Sequence, residues 1–352
     1  MQDTKQHFIV LDGLRGVAAF AIVIFHFMEI IEADPSKNFI GHGFLAVDFF
    51  FCLSGFVIAY AYDDRIGKMG ILTFLKRRTI RLHPLVILGS VLGLLAFLFD
   101  PYSNASESYS VWQITLIFLA SLFLIPYPVM EDRYFNLFGL NAPAWSLFWE
   151  YIASLLYALL LHRVSKWWLA AGTAIMALGL VTIAYRSESL IGGWNGDTFW
   201  DGGVRIGFSF LAGMLIYRAK WMVKNRLGFL GLSLLLAATL LMPVFPHNGF
   251  MELMVVLFVF PCLIVLGSAT RLERKLASLC GFFGRISYPL YMTHYAVMWI
   301  FAGYNSNNPD TVQRYTVVII GTFLLLVFAY VAMKIFDIPI RRYLNKISGP
   351  VR

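Results

Sequence analysis

Three ionisable residues in the first apolar segment of the chain could act on a bound substrate. Asp12, Arg15 and His26 interrupt a stretch, 8–30, that is otherwise largely hydrophobic. A charged side chain at the centre of a membrane helix costs roughly 2.5–3.5 kcal/mol on insertion scales, so such residues are candidates for function. Histidine can take a proton from a hydroxyl group as a general base. The segment therefore suits acid–base chemistry on a polar substrate, or a proton-coupled carrier.

The spacing of these residues places them on one face of a helix. At about 100° per residue, the step from Arg15 to His26 returns to within about 20° of the same direction, and Asp12 lies within about 60°. The helical rise separates Arg15 from His26 by about 16 Å, so they cannot hydrogen-bond to each other. We expect them to face one groove and to serve different parts of a long ligand. The alternative is an Asp12–Arg15 ion pair with an interfacial His26.

Two later apolar segments carry further candidates. Ser146 and Glu150 lie one helical turn apart, and Glu150 is expected either to bond a neighbouring helix or to orient a histidine. Ser287, Tyr291 and His294 fall on one stripe of another helix. About 10 Å of helical rise separates Ser287 from His294, so they do not form a nucleophile–base pair.

A buried acid and a basic cluster complete the set. Asp48 lies within an apolar run and is expected either to pair with another helix or to join the site. Arg77, Arg78 and Arg81 lie where a cytoplasmic loop is predicted to enter a helix. Guanidinium groups bind phosphate oxygens bidentately, although such a cluster also anchors membrane proteins to anionic lipid.

The composition of the chain indicates the type of fold that must position these side chains. Hydrophobic residues make up 59% of the 352 positions and charged residues 14%, which leaves too little polar surface for a water-soluble fold. We predict one all-α membrane domain over residues 1–352. About ten apolar runs have spanning length: 8–30, 38–60, 82–99, 144–161, 167–185, 204–217, 227–244, 251–268, 286–303 and 315–336.

The basic residues set the direction of the spans. The loop 61–81 is rich in Lys and Arg and should be cytoplasmic, which also accounts for the net charge of +8 without a nucleic-acid partner. The later basic clusters can all be cytoplasmic only if the apolar stretch 111–128, broken by Pro126 and Pro128, does not cross. We therefore predict a re-entrant or interfacial helix there and two cytoplasmic termini. The cysteines have no metal-ligand spacing, so no metal is expected.

Five motifs in this order, from residue 11 to residue 294, resemble the membrane-bound acyltransferase family 3. Its members are bacterial enzymes that O-acylate surface polysaccharides, peptidoglycan and some small molecules. The motifs are Leu11-Asp12-Gly13-Leu14-Arg15-Gly16 with His26, Phe49-Phe50-Phe51-Cys52-Leu53-Ser54-Gly55-Phe56, Arg78-x-x-Arg81, Pro143-x-Trp145-Ser146-Leu147-x-x-Glu150, and Ile286-Ser287-Tyr288-Pro289-Leu290-Tyr291-x-x-His294.

The resemblance implies a role for each matching residue. His26 would be the catalytic histidine, acting as general base or as a transient acyl carrier, and Arg15 would position the donor or its carbonyl. Apart from the resemblance, we expect Glu150 or Asp48 to fix the tautomer of His26. The basic cluster would hold acetyl-CoA, the expected acyl donor. Residues expected to bind the donor are Arg77, Arg78 and Arg81, and those expected to line the site are Asp12, Trp145, Ser146, Tyr291 and His294.

The expected setting is the bacterial inner membrane, with a multi-pass chain in contact with lipid. The expected acceptor is a sugar hydroxyl outside the cytoplasm, as in O-antigen or exopolysaccharide. Many relatives carry an appended SGNH-type domain, which we do not expect in this chain, so a separate SGNH-type or polysaccharide-assembly protein would supply that function. The rival interpretation is a proton-coupled transporter or flippase, since buried Asp, Arg and His on one helix face also suit a carrier.

Overall fold

The computed structural model describes residues 8–347, apart from residues 33, 246, 271, 273, 309 and 310. The predicted all-α class is confirmed, because the described residues contain no strand beyond an isolated bridge between Asn136 and Asn195. Both chain termini, predicted to be cytoplasmic, lie outside the described residues. The helices are α1 Ile9–Ile31, α2 Ala46–Tyr62, α3 Ile66–Met69, α4 Ile71–Leu98, α5 Val111–Leu122, α6 Ala144–Leu159, α7 Lys166–Ser187, α8 Phe199–Arg218, α9 Gly228–Leu240, α10 Asn248–Met254, α11 Phe260–Ala269, α12 Arg274–Thr293, α13 Tyr295–Asn307, α14 Thr311–Ala332 and α15 Ile338–Ile347.

Seven helical segments of the described chain are long and apolar enough to cross a membrane. The three other predicted spans, 144–161, 227–244 and 286–303, coincide with α6, α9 and the α12–α13 pair. The total of about ten crossings therefore stays a prediction. The seven segments are Ile9–Ile31, Gly43–Tyr62, Ile71–Leu98, Lys166–Ser187, Phe199–Arg218, Asn248–Ala269 and Val312–Ile347.

α1 and α12 pack side by side and run in the same direction. Residues early in α1 meet residues early in α12, since a Cβ atom at Gly16 would lie 2.4 Å from that of Phe283. Near the other end, the ring of His26 stacks on the ring of His294. The face of α1 that carries Arg15 and His26 is therefore directed at α12.

α2 and α8 form a second close, parallel pair. A Cβ atom at Gly55 would lie 2.0 Å from the carbonyl oxygen of Phe210, and one at Gly213 would lie 2.0 Å from that of Cys52. Only glycine fits such a backbone approach, which is how helices pack tightly where lipid offers no hydrophobic driving force. The pair carries Asp48 into the interior of the bundle.

Basic residues that follow α2 and end α8 lie at one end of the bundle. The start of α1 meets the end of α2, because the ring of Phe8 contacts the rings of Phe56 and Tyr60. Arg65 follows α2 at this end, and Arg218 at the end of α8 binds Asp63 there. We call this the basic end, and the opposite one the outer end.

The segment 111–128 turns back, as predicted. The serine hydroxyls of Ser121 and Ser90 lie 2.7 Å apart, so the end of α5 reaches the middle of α4. The hydroxyl of Tyr109, before α5, donates to Asp132, which follows the segment. Both ends of the segment are therefore at the outer end, and the 12 residues of α5 rise only about 18 Å.

The basic cluster lies on a helix, not in a loop. The prediction began this span at residue 82, but α4 begins at Ile71 and carries Arg77, Arg78 and Arg81 within it. Lysine and arginine are good helix formers, and the buried side chain of Phe74 holds this first part of α4 against the bundle. Hydropathy alone could not extend the helix through so many charges.

Replacing Gly55 with valine should destabilise the protein, because the added side chain meets the backbone of α8. Overpacking of this kind costs about 1–3 kcal/mol, so the melting temperature of the purified protein in detergent should fall. Gly67→Val is the matched control, since nothing lies within 4 Å of a Cβ atom there. A Gly55→Val variant that melts with the wild type would contradict the close α2–α8 packing.

Candidate active site

A cavity of about 380 Å³ opens inside the bundle and receives residues from all five motifs. The residues come from the first, second, fourth, sixth and twelfth helices and from the chain after α14. Those that can do chemistry are Arg15, Ser54, Arg78, Arg81, Ser146, Glu150, Arg285, Ser287, Tyr288, Tyr291, Asp337 and Arg341. We call this the inner cavity.

Arg15 joins α1 to α12 at this cavity. Its Nε donates to the hydroxyl of Ser287 at 3.0 Å, and its Nη2 donates to the carbonyl of Gly284. The same Nη2 lies 3.3 Å from Asp12, so the i,i+3 ion pair considered from the sequence is also present. Ser287 in turn donates to the carbonyl of Gly284, which leaves it no role as a nucleophile paired with His294.

Glu150, which is half-buried, and the buried Arg78 form an ion pair across α6 and α4. Glu150 also accepts from the hydroxyl of Ser54 at 2.9 Å, and Arg78 Nε donates to Ser154 at 3.2 Å. The network ties three helices together and neutralises Arg78. Arg81, one turn further along α4, lines the cavity without an ion-pair partner among the described residues.

His26 has a different partner from the one predicted. Its Nδ1 lies 2.5 Å from Glu29 Oε1, whereas Glu150 is held by Arg78, and Asp48 by another arginine. The prediction that Glu150 or Asp48 fixes the tautomer of His26 is therefore wrong. The i,i+3 spacing of His26 and Glu29 on α1 was the available signal.

A second histidine lies against His26. The His294 ring stacks on the His26 ring with centroids 5.3 Å apart, and Tyr295 contacts His26 edge-on at 4.9 Å. His294 Nδ1 lies 3.1 Å from the carbonyl of Leu290, so Nδ1 carries the proton and donates. The buried Nε2 then holds a lone pair with no partner among the described residues. We call His26, Glu29, His294 and Tyr295 the outer histidine cluster.

Tyr291 lies between the inner cavity and this cluster. Its hydroxyl is 2.8 Å from that of Ser146, and its ring packs edge-on against Phe50, all three residues lining the cavity. On its other side, its ring centroid is 6.0 Å from that of His294. Tyr291 therefore contacts both the inner cavity and the outer histidine cluster.

Asp48 and Trp145 belong to another buried group. Asp48 Oδ1 and Oδ2 accept from Arg205 at 3.2 and 2.5 Å, and both residues are almost wholly buried. The guanidinium also donates to the carbonyl of Gly192 and lies 5.2 Å from a Trp145 ring centroid. Neither Asp48 nor Trp145 lines the inner cavity. Arg205 was missed, although it is a cation within the predicted span 204–217.

Two other predicted residues lie outside the inner cavity. Arg77 is exposed on α4 and does not line it, because it points away from the face that carries Arg78 and Arg81. Asp12 contacts Arg15 and Gly284 at the edge of the site. Among the described residues no group of three or more His, Cys, Asp or Glu side chains could hold a metal ion.

Residues 8–334 of the chain match the family described as "Acyltransferase domain". The chain is 36% identical over 169 residues to "Protein 2 in picA locus" of Rhizobium radiobacter, covering 45% of this chain and 84% of that protein. It is 25% identical over 366 aligned positions to a Staphylococcus aureus (strain COL) protein named "Putative O-acetyltransferase", covering 94% of this chain. It is 31% identical over 195 residues to "Acyltransferase MdmB" of Streptomyces mycarofaciens, covering 51% of this chain.

The match covers only 57% of the length of the Staphylococcus protein and 48% of the Streptomyces protein. No solved structure matches the chain.

Removing the carboxylate of Asp48 should destabilise the fold, because Asp48 has a structural role and not a catalytic one. Asp48→Ala leaves Arg205 buried without its partner, which typically costs about 3–5 kcal/mol. The yield of monodisperse protein in detergent and its melting temperature should both fall. The double variant Asp48→Leu with Arg205→Met should recover most of the loss, since apolar replacements of buried pairs are often tolerated. A stable but inactive Asp48→Ala protein would instead restore Asp48 to the catalytic machinery.

Proposed function

The chain belongs to the Acyltransferase domain family, and from that membership we propose that it moves an acetyl group from cytoplasmic acetyl-CoA to a hydroxyl of an extracytoplasmic sugar. The observation that carries the proposal is the placement of two different sites along one helix interface. Arg15 in the cationic inner cavity and His26 in the outer histidine cluster lie on one face of α1, where Arg15 meets α12 and His26 meets His294 directly after α12. One suits a phosphorylated donor, and the other suits removal of a proton from a hydroxyl group.

The charge of the inner cavity supports an anionic donor. Five arginines and two carboxylates line it, a formal excess of three positive charges. In the proposal the basic end faces the cytoplasm, where acetyl-CoA is made. Arg81 binds a phosphate of the donor, since it has no acidic partner in the described structure and guanidinium groups bind phosphate bidentately. Arg15, fixed by Ser287 and Gly284, lies beside the acyl-bearing arm.

The outer histidine cluster supports general-base catalysis. Glu29 accepts a hydrogen bond from Nδ1 of His26, so the free lone pair of the imidazole lies on Nε2. In the proposed step His26 Nε2 takes the proton of the acceptor hydroxyl while its oxygen attacks the thioester carbonyl carbon. The carbon–sulfur bond breaks, and the thiolate takes the proton back from His26 to leave as coenzyme A. Glu29 stabilises the imidazolium that forms between these transfers.

The thioester of the donor and the hydroxyl group of the acceptor must meet at the outer histidine cluster. The thioester arm therefore passes Tyr291, whose ring moves aside or packs along the arm. The acceptor reaches His26 from the outer end, as a sugar hydroxyl of an O-antigen, an exopolysaccharide or a lipid-linked sugar. The setting proposed is the bacterial inner membrane, and a polysaccharide-assembly protein is the proposed partner. Names of relatives such as "Acyltransferase MdmB" agree with the reaction class.

Removing the imidazole of His26 should abolish acetyl transfer. General-base catalysis contributes about 10²–10⁴-fold, so His26→Ala should lose at least about 100-fold in kcat. Glu29→Gln keeps a hydrogen-bond partner but removes the charge that stabilises the imidazolium, and should lose about tenfold. The measurement is transfer of label from acetyl-CoA to a membrane glycan extract by purified protein.

Glu32→Gln is the matched control for these variants, because Glu32 lies one turn beyond Glu29 and does not contact His26. It should keep wild-type activity. Full activity in His26→Ala would contradict the assignment of His26 as the general base. If Glu32→Gln loses as much acetyl-transfer activity as Glu29→Gln, Glu29 has no specific role.

Removing the charge of Arg81 should weaken donor binding. Arg81→Gln should raise the KM for acetyl-CoA about tenfold and change kcat little, since a phosphate contact remote from the reacting carbon stabilises the ground state and the transition state alike. Arg77→Gln should leave both constants unchanged, because its side chain points away from the cavity. If the dependence of rate on acetyl-CoA concentration is the same in Arg81→Gln and wild type, the donor does not use Arg81.

A further inference from the structure

The inner cavity contains two arginines that none of the five motifs includes. Arg285 lies on α12, and Arg341 lies on α15, beyond residue 334 where the family match ends. We infer that Arg341 binds the 3′-phosphate of coenzyme A, the phosphate that is farthest from the thioester. This inference rests on the proposed function, because it takes coenzyme A as the donor.

The position of Arg341 along the bundle supports this assignment. Gly321 in the middle of α14 packs against Phe27 near the outer end, and Tyr330, further along α14, packs against Phe282 nearer the basic end. The chain after α14, with Asp337 and Arg341, therefore lies towards the basic end. The side chain of Arg341 is 34% exposed, whereas that of Arg78 is 6% exposed. Arg341 therefore lies at the mouth of the cavity. A donor whose acyl end points towards Arg15 leaves its far end at Arg341.

Arg341 is held ready to bind an anion. Its Nη2 lies 2.7 Å from Oδ2 of Asp337, one turn earlier, and the Asp337 side chain is 3% exposed. A guanidinium has five N–H donors, so this contact leaves others free for phosphate oxygens. Asp337 thus acts as a positioning residue for Arg341. Its other oxygen, Oδ1, is buried and has no hydrogen-bond partner among the described residues.

The surrounding charges favour a ligand with several phosphates. Arg15, Arg78 and Arg341 each have a carboxylate within ion-pair distance. In the described part of the chain, Arg81 and Arg285 line the cavity with no such partner. The positive charge left uncompensated is therefore on these two residues, which suits the diphosphate bridge of the donor. The 3′-phosphate, a monoester, would then bind Arg341, and all three phosphates of the donor would contact arginines.

The experiment compares two ligands that differ only in the 3′-phosphate. The purified full chain in detergent is titrated with coenzyme A and with 3′-dephospho-coenzyme A by calorimetry. Wild-type protein should bind coenzyme A about tenfold or more tightly, as expected for a charge-assisted phosphate contact. Arg341→Gln should bring the two affinities within about threefold, through weaker binding of coenzyme A and unchanged binding of the dephospho form.

Two further variants separate this contact from other effects. Arg342→Gln should keep the wild-type ratio, because Arg342 is exposed and does not line the cavity. Arg341→Lys keeps a charge beside Asp337 but loses the planar fork, and should give an intermediate ratio. Unchanged affinity for the dephospho form shows that the variants are folded.

The inference is overturned if Arg341→Gln keeps the wild-type ratio, as it would if Arg341 only touched anionic lipid. It is also overturned if both Arg341 variants lose affinity for the two ligands equally. The proposed function fails in a different way, namely if wild-type protein binds neither ligand, and that result also removes the basis of this inference.

Discussion

The parallel contact between α1 and α12 is the constraint on which the rest of the site depends. Because both helices run in the same direction, their functional side chains meet in the same order. Arg15 meets Ser287 near the basic end, and His26 meets His294 near the outer end. A single rigid interface therefore fixes both sites and holds them about 16 Å apart along the helix axis. Close approach at Gly16 makes this contact possible.

Some charged side chains of the bundle pair with each other, whereas others line the cavity and can bind a ligand. Asp48 and Arg205 neutralise each other between α2 and α8, and Glu150 and Arg78 do so between α6 and α4. Unpaired charges are costly in such an interior, so each pair specifies which helices must be neighbours. Arg81 and Arg285 line the cavity outside this pairing scheme, and both residues are exposed. Their position therefore marks where an anionic ligand would restore the balance of charge.

Helical periodicity predicted much of this arrangement. It placed Arg15 and His26 on one face, and that face does pack on the predicted stripe with Ser287, on α12, and His294, directly after α12. Charge asymmetry of the loops also predicted that the segment 111–128 turns back. Both predictions needed only local spacing or a count of basic residues, which a single sequence supplies.

Partners across the bundle could not be predicted in the same way. Arg205 is 157 positions from Asp48, and without aligned homologues nothing in one sequence couples them. The expected link from Glu150 to His26 is absent because Glu150 pairs with Arg78 and His26 pairs with Glu29. Arg341 was counted as one more basic residue of the C-terminal segment. Only the turn of the chain after α14 brings it to the cavity.

The central claim is that donor and acceptor occupy opposite sides of the bilayer and meet within the bundle. It is tested most directly with proteoliposomes in which the chain has a single orientation and the acceptor glycan is sealed inside. Labelled acetyl-CoA added outside should label the enclosed glycan when the basic end faces outwards, and should not when it faces inwards. Transfer only when donor and acceptor share the same compartment would contradict the account.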